Sequence, residues 1–105
     1  MIVNDTEYEG LKDYVHGFIN EMCIEKGRMP GKMPGTTYTW MFYLRRALLN
    51  PNVAFAISKM FLYHMERLDP KFQFQICGMD TAGSPLVTAL SLSARYHDIF
   101  LNPII

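Results

Sequence analysis

Ile76-Cys77-Gly78-Met79-Asp80-Thr81-Ala82-Gly83-Ser84-Pro85 joins two kinds of periodicity. Before it, Phe72-Gln73-Phe74-Gln75-Ile76-Cys77 alternates apolar with polar, the pattern of a short strand. After it, Ser84-Pro85 opens a helix with a capping residue and a first-turn proline. Leu86, Val87, Ala89, Leu90, Leu92 and Ala94 make that helix apolar almost all round, which predicts that it is well buried. The helix should end near His97-Asp98, and Ile99-Phe100-Leu101 begins another strand. Strand, helix and strand form a βαβ unit, which implies two parallel strands and a right-handed crossover.

One glycine ends the first strand, another stands just before the helix, and the helix N-terminus aims its N–H groups at the loop. That arrangement suits an anion, a phosphate above all. Open α/β sheets also hold ligands at strand C-termini. The plainer alternative is a short βα connection that needs glycine for its turn. It is not a P-loop, because no Gly-Lys-Ser/Thr follows.

Upstream, Asn50-Pro51 is a strong helix start, and Val53, Ala56, Ile57, Met60, Phe61, Met65 and Leu68 carry an apolar stripe down to Asp69-Pro70. Thr36 to Leu44 reads as extended, rich in strand formers. Gly27 to Gly35, with its repeated Met-Pro-Gly, reads as paired turns. The leading helix shows Leu11, Val15, Phe18, Ile19 and Met22 at helical spacing, with Asp5 or Thr6 to cap it and Gly27 as a stop.

Charge is unevenly placed. From Lys26 to Lys59 there are six basic residues (Lys26, Arg28, Lys32, Arg45, Arg46, Lys59) and no acidic one. Tyr38, Trp40, Phe42 and Tyr43 lie among them, so rings and cations suit a flat anionic ligand. An aromatic hairpin packed on the core with a solvated basic rim would read the same way.

Over the whole sequence, 105 residues make one domain, and a hydrophobic share of 50% is ample for a core. Ten basic and ten acidic residues cancel, which argues against a general nucleic-acid coat. No apolar run approaches the roughly 20 residues of a membrane span, and the N-terminus lacks the pattern of a signal peptide. Cys23 and Cys77 make no disulfide framework. The expectation is a cytoplasmic protein with neither membrane nor nucleic acid as partner. His16, His64 and His97 stand alone, and no metal-ligand spacing, nucleophile elbow or adjacent acidic pair occurs.

The order of elements and two motifs resemble the N-terminal half of the type I phosphoribosyltransferases, most closely the orotate branch. The resemblance covers roughly residues 11 to 105. Gly31-Lys32 with Tyr38 to Arg46 is similar to the family's substrate hood, which implies substrate contacts from Lys32, Phe42, Tyr43 and Arg45. Gly78 to Pro85 is similar to the pyrophosphate loop, which implies contacts from Gly78, Met79, Asp80, Thr81, Ala82 and Gly83. The fold implied is an incomplete α/β phosphoribosyltransferase-like domain: N-terminal helix, hood, helix and parallel βαβ unit.

Three family features are missing. The strand ending in two acidic residues with a Thr/Gly-rich loop, which holds the ribose phosphate, is not in this sequence. The mobile basic loop would begin just past Ile105. Ala82 or Thr81 stands where the pyrophosphate loop often has Lys. The resemblance therefore implies no catalytic residue in these residues, no useful transferase activity by this chain alone, and Mg²⁺ only where a complete site is assembled. The apolar strand Ile99-Ile105 should seek a neighbour, from a homo-oligomer or a complementing chain. A nucleotide-binding module without chemistry and an oligomeric scaffold are the other two classes left open.

Overall fold

The computed structural model describes residues 1–30, 35, 37–79 and 82–104. Helix α1 spans Asp5–Phe18 and runs through a π turn, Ile19–Cys23, into strand β1, Ile24–Pro30. Strand β2 is Thr37–Phe42; a short helix α2, Arg45–Leu48, leads to the long helix α3, Pro51–Leu68. Strand β3, Gln75–Cys77, helix α4, Ser84–Tyr96, and strand β4, Asn102–Ile104, follow. β1 and β2 form an antiparallel ribbon, and β3 pairs with β4 in parallel. The chain is thus mixed α/β, and the parallel strand–helix–strand unit expected from residues 72–105 is present.

The first helix is shorter than its periodicity predicts. Its cap is Asn4, one residue before the expected Asp5 or Thr6, and the Asn4 side chain accepts the Glu7 N–H at 2.7 Å. Residues 24–27 are strand, because their backbone finds partners on the aromatic segment: Ile24 pairs with Phe42, Glu25 with Met41 and Lys26 with Trp40. Gly27 is therefore no helix stop. It sits at φ +129° inside a register shift between Lys26 and Met29, a bulge where a side chain would be strained. Of the paired turns expected at 27–35, residues 27–30 are strand, and 31–34 lie outside the described residues.

Both parallel strands start later than predicted, each for a local reason. The Asp69 carboxylate accepts the N–H groups of Lys71 and Gln73, and Phe72 is buried with φ +54°. That turn delays β3 to Gln75. After α4, Asp98 takes φ +60° and the Ile99 N–H reaches back to the Ala94 carbonyl at 2.9 Å. This closure of the helix end delays β4 to Asn102.

Asn50 caps α3 as expected, accepting from Asn52 and Val53. Ser84 does not cap α4: Gly83 holds that position, and Ser84 is the first helical residue.

Helix α3 is the spine between two small cores. One gathers Leu62, Met65, Phe72, Leu90, Ala94 and Leu101; the other gathers Val15, Cys23, Ala47, Val53 and Ala56. The N-terminus is tied to α3 as well, through the Ile2 N–H on the Glu66 carboxylate. With cores this divided the chain is not compact. Its radius of gyration is 15.9 Å, against about 13 Å for a 105-residue domain. Helix α4 is also not enclosed as predicted. Val87, Leu90 and Ala94 are buried, but Leu92 and Tyr96 are exposed. No helix among the described residues is long and apolar enough to cross a membrane.

Candidate functional site

The loop from β3 to α4 closes on itself at its two glycines. The Gly83 N–H donates to the Met79 carbonyl at 2.7 Å, and the Val87 N–H donates to the Gly83 carbonyl at 3.1 Å. A Cβ on Gly78 would lie 2.7 Å from a Val87 methyl and 2.9 Å from the Gly83 oxygen. A Cβ on Gly83 would lie 2.8 Å from the Met79 nitrogen and 2.9 Å from the Gly78 Cα. Both positions need glycine for close approach, not for an unusual φ, since Gly83 sits at φ −85°. The loop leads into a helix N-terminus that has no side-chain cap.

Facing this loop is the stretch from β2 into α2. Phe42, Tyr43, Leu44, Arg45 and Leu48 line a cavity of about 420 Å³ together with Ala82. Three of the four substrate residues expected from sequence thus share one cavity with a loop residue some forty positions away. Lys32, Asp80 and Thr81 lie outside the described residues, as does Ile105. Gly78, Met79 and Gly83 shape the loop without lining the cavity.

The basic residues divide into working groups. Arg46 is structural: its guanidinium donates to the Met22 carbonyl at 3.0 Å, pairs with Glu25, and lies 4.6 Å from the centroid of the Tyr43 ring. The Tyr43 N–H is held by the Cys23 carbonyl. Lys59 pairs with Glu7 across the α1–α3 seam. The Arg45 side chain forms no hydrogen bond or ion pair among the described residues, so its charge is open to a ligand at the cavity wall. A second, apolar cavity of about 360 Å³ shares Leu44 and Leu48 with the first and is walled by Val15, Ile57, Met60 and Phe61.

Sequence reasoning did not anticipate the cluster on the α1–α3 seam. The Tyr63 hydroxyl and the Arg67 guanidinium both donate to Asp5, at 2.7 and 2.9 Å. Arg67 lies 3.4 Å from the Tyr63 ring centroid, and the Tyr8 and Tyr63 rings stack at 4.0 Å. The Tyr63 hydroxyl, and then Arg67, hold the Asp5 carboxyl below its usual range, while the bond to Asp5 pushes the Tyr63 phenol up. His64 shares a hydrogen bond of 3.0 Å with the Tyr8 hydroxyl. Only the four-residue spacing of Tyr63 and Arg67 on one helix face hinted at this staple.

Cys77 is exposed at the end of β3, whereas Cys23 is buried. Among the described residues no three of His, Cys, Asp and Glu come together to hold a metal ion. No family model, no curated protein and no solved structure matches this chain.

Proposed function

We propose that this chain carries the substrate-hood and pyrophosphate-loop half of a phosphoribosyltransferase-like site, of the kind that serves pyrimidine nucleotide synthesis. On this reading it holds a flat anionic ligand, orotate-like or phosphorylated, and does not turn it over alone. The observation that carries this reading is the cavity of about 420 Å³ in which Phe42, Tyr43 and Arg45 meet Ala82. Its size falls in the range of small-molecule sites. Phe42 and Tyr43 offer rings, Arg45 a cation whose side chain has no partner among the described residues, and the adjoining loop a glycine-necked approach to a helix N-terminus.

The same chemistry limits what the chain can do. Ribosyl transfer needs a ribose-phosphate cradle and charges aimed at an oxocarbenium-like centre. The sequence has no adjacent acidic pair, so the 105 residues cannot supply that cradle in the family's manner. Among the described residues no three metal-binding side chains gather, and no step is assigned to Mg²⁺. A complementing chain that brings the missing motifs would have to complete an active enzyme.

Calorimetric titration with orotate, pyrophosphate and uridine monophosphate, on wild type and Arg45→Ala, tests this reading. Binding of at least one of these ligands is expected, weakened about 10- to 100-fold in the variant, as for the loss of a charge-assisted contact. No binding by any of the three at millimolar concentration refutes it. So does pyrophosphate release from phosphoribosyl pyrophosphate at the rate of a complete family enzyme.

A further inference from the structure

Helix α4 has a second apolar face that this chain leaves uncovered. Its 13 residues include one charged side chain, Arg95, a composition suited to a helix enclosed on every side. Ala89, Leu92, Ser93 and Tyr96 form a stripe at helical spacing and, with Pro51, Ala54 and Phe55 of α3, bound a trough of about 310 Å³. Phe55 is 43% exposed, Leu92 68% and Tyr96 77%. The Phe55 and Tyr96 rings meet edge to face at 6.4 Å. Three large side chains thus make a ridge beside a floor of small ones. The first eight residues of α3 carry no charge. Charges that follow in sequence are already engaged: Lys59 with Glu7, and Arg95 with Asp98 at 3.6 Å. A charge-depleted centre with paired charges around it is the anatomy of an interface.

We propose that a second copy of this chain covers this face, in a two-fold dimer where each ridge of Phe55, Leu92 and Tyr96 enters the other copy's trough over Ala54, Ala89 and Ser93. Two observations select a second copy as occupant. Ridge and trough lie on the same patch, which is the self-complementarity a two-fold interface requires. The area also fits. The chain exposes 7428 Å², about 1,400 Å² more than the ~6,000 Å² of a folded monomer of its mass. A stable interface takes about 800 Å² from each partner, which that excess accommodates. This interface is separate from the β4 edge and involves no ligand, so it stands or falls apart from the binding reading.

Sedimentation and light scattering under reducing conditions, from 1 to 100 µM, test the proposal on wild type, Leu92→Glu and Tyr96→Lys. Leu92 and Tyr96 point largely into solvent, so both variants keep the helical circular dichroism of the wild type. Wild type is expected at about 24 kDa, twice the 12.1 kDa chain. Each variant is expected as a monomer, with the dimer weakened about 100-fold or more. A wild type that stays monomeric at 100 µM overturns the proposal. So does a folded Leu92→Glu that remains dimeric, which would move the contact to the β4 edge. Flotation of monomeric wild type with anionic lipid vesicles, lost in Leu92→Glu, would overturn it in favour of a membrane surface.

Discussion

Replacing Gly83 with alanine tests whether the β3–α4 loop closes as described. The added Cβ would meet the Met79 nitrogen at 2.8 Å and the Gly78 Cα at 2.9 Å. Ordinary van der Waals contact begins near 3.4 Å, so the neck has to part by about 0.6 Å. Both obstacles are backbone, and no rotamer change relieves them. Parting also stretches the 2.7 Å bond from the Gly83 N–H to Met79. Overpacking of this kind costs about 1–3 kcal/mol, and weakening the bond adds up to about 1 kcal/mol. Alanine offsets about 0.4–1 kcal/mol by restricting the unfolded chain. The net loss is about 1–3 kcal/mol, or a drop in Tm of roughly 5–15 °C for a domain of this size. Gly10→Ala is the control, since nothing lies within 4 Å of its Cβ and it sits inside α1. It should gain about 0.5–1 kcal/mol from helix propensity. Thermal unfolding followed by circular dichroism reads both. If Gly83→Ala melts at or above wild type while Gly10→Ala behaves as stated, the loop does not close at its glycines and the site built on it fails.

Asn50→Ala removes the acceptor for the Asn52 and Val53 N–H groups at the start of α3 and should cost about 1 kcal/mol, whereas Asn50→Ser should be close to neutral; urea unfolding distinguishes the two. Acid should act through Asp5. Its folded-state pKa is depressed, so its contribution is full above the ordinary value of 3.8 and is lost as pH falls through the lowered value. Urea midpoints of wild type and Asp5→Asn should therefore differ at neutral pH and converge in strong acid. A constant difference down to the lowest pH would show that Asp5 is not paired as described.

Much of this was legible where short-range rules dominate. Asn50-Pro51 caps a helix because the Asn side chain meets donors two and three residues away, and no distant partner is needed. Gly78 and Gly83 could be marked as the ends of one loop, and the periodicity from Phe72 to Ile105 implied the parallel pair. The rule misjudged β1, where Ile24 to Gly27 looked like a helix tail until β2 offered its backbone a partner. It also misjudged where β3 and β4 begin, since turns at Asp69 and Asp98 consumed the residues nearest each strand.

By itself, the sequence determined where α3 begins, which two glycines bound the β3–α4 loop, and that rings and cations cluster between residues 26 and 59. Those are properties of neighbours within about four residues, set by caps, propensity and side-chain period. Only the tertiary structure decided that Phe42, Tyr43 and Arg45 share a cavity with Ala82, and that Arg46 serves Tyr43 and Glu25 instead of a ligand. It alone divided the apolar circumference of α4 into a buried stripe and an open one. Burial depends on which surfaces long-range packing brings together, and one chain of this size has too few to enclose that helix.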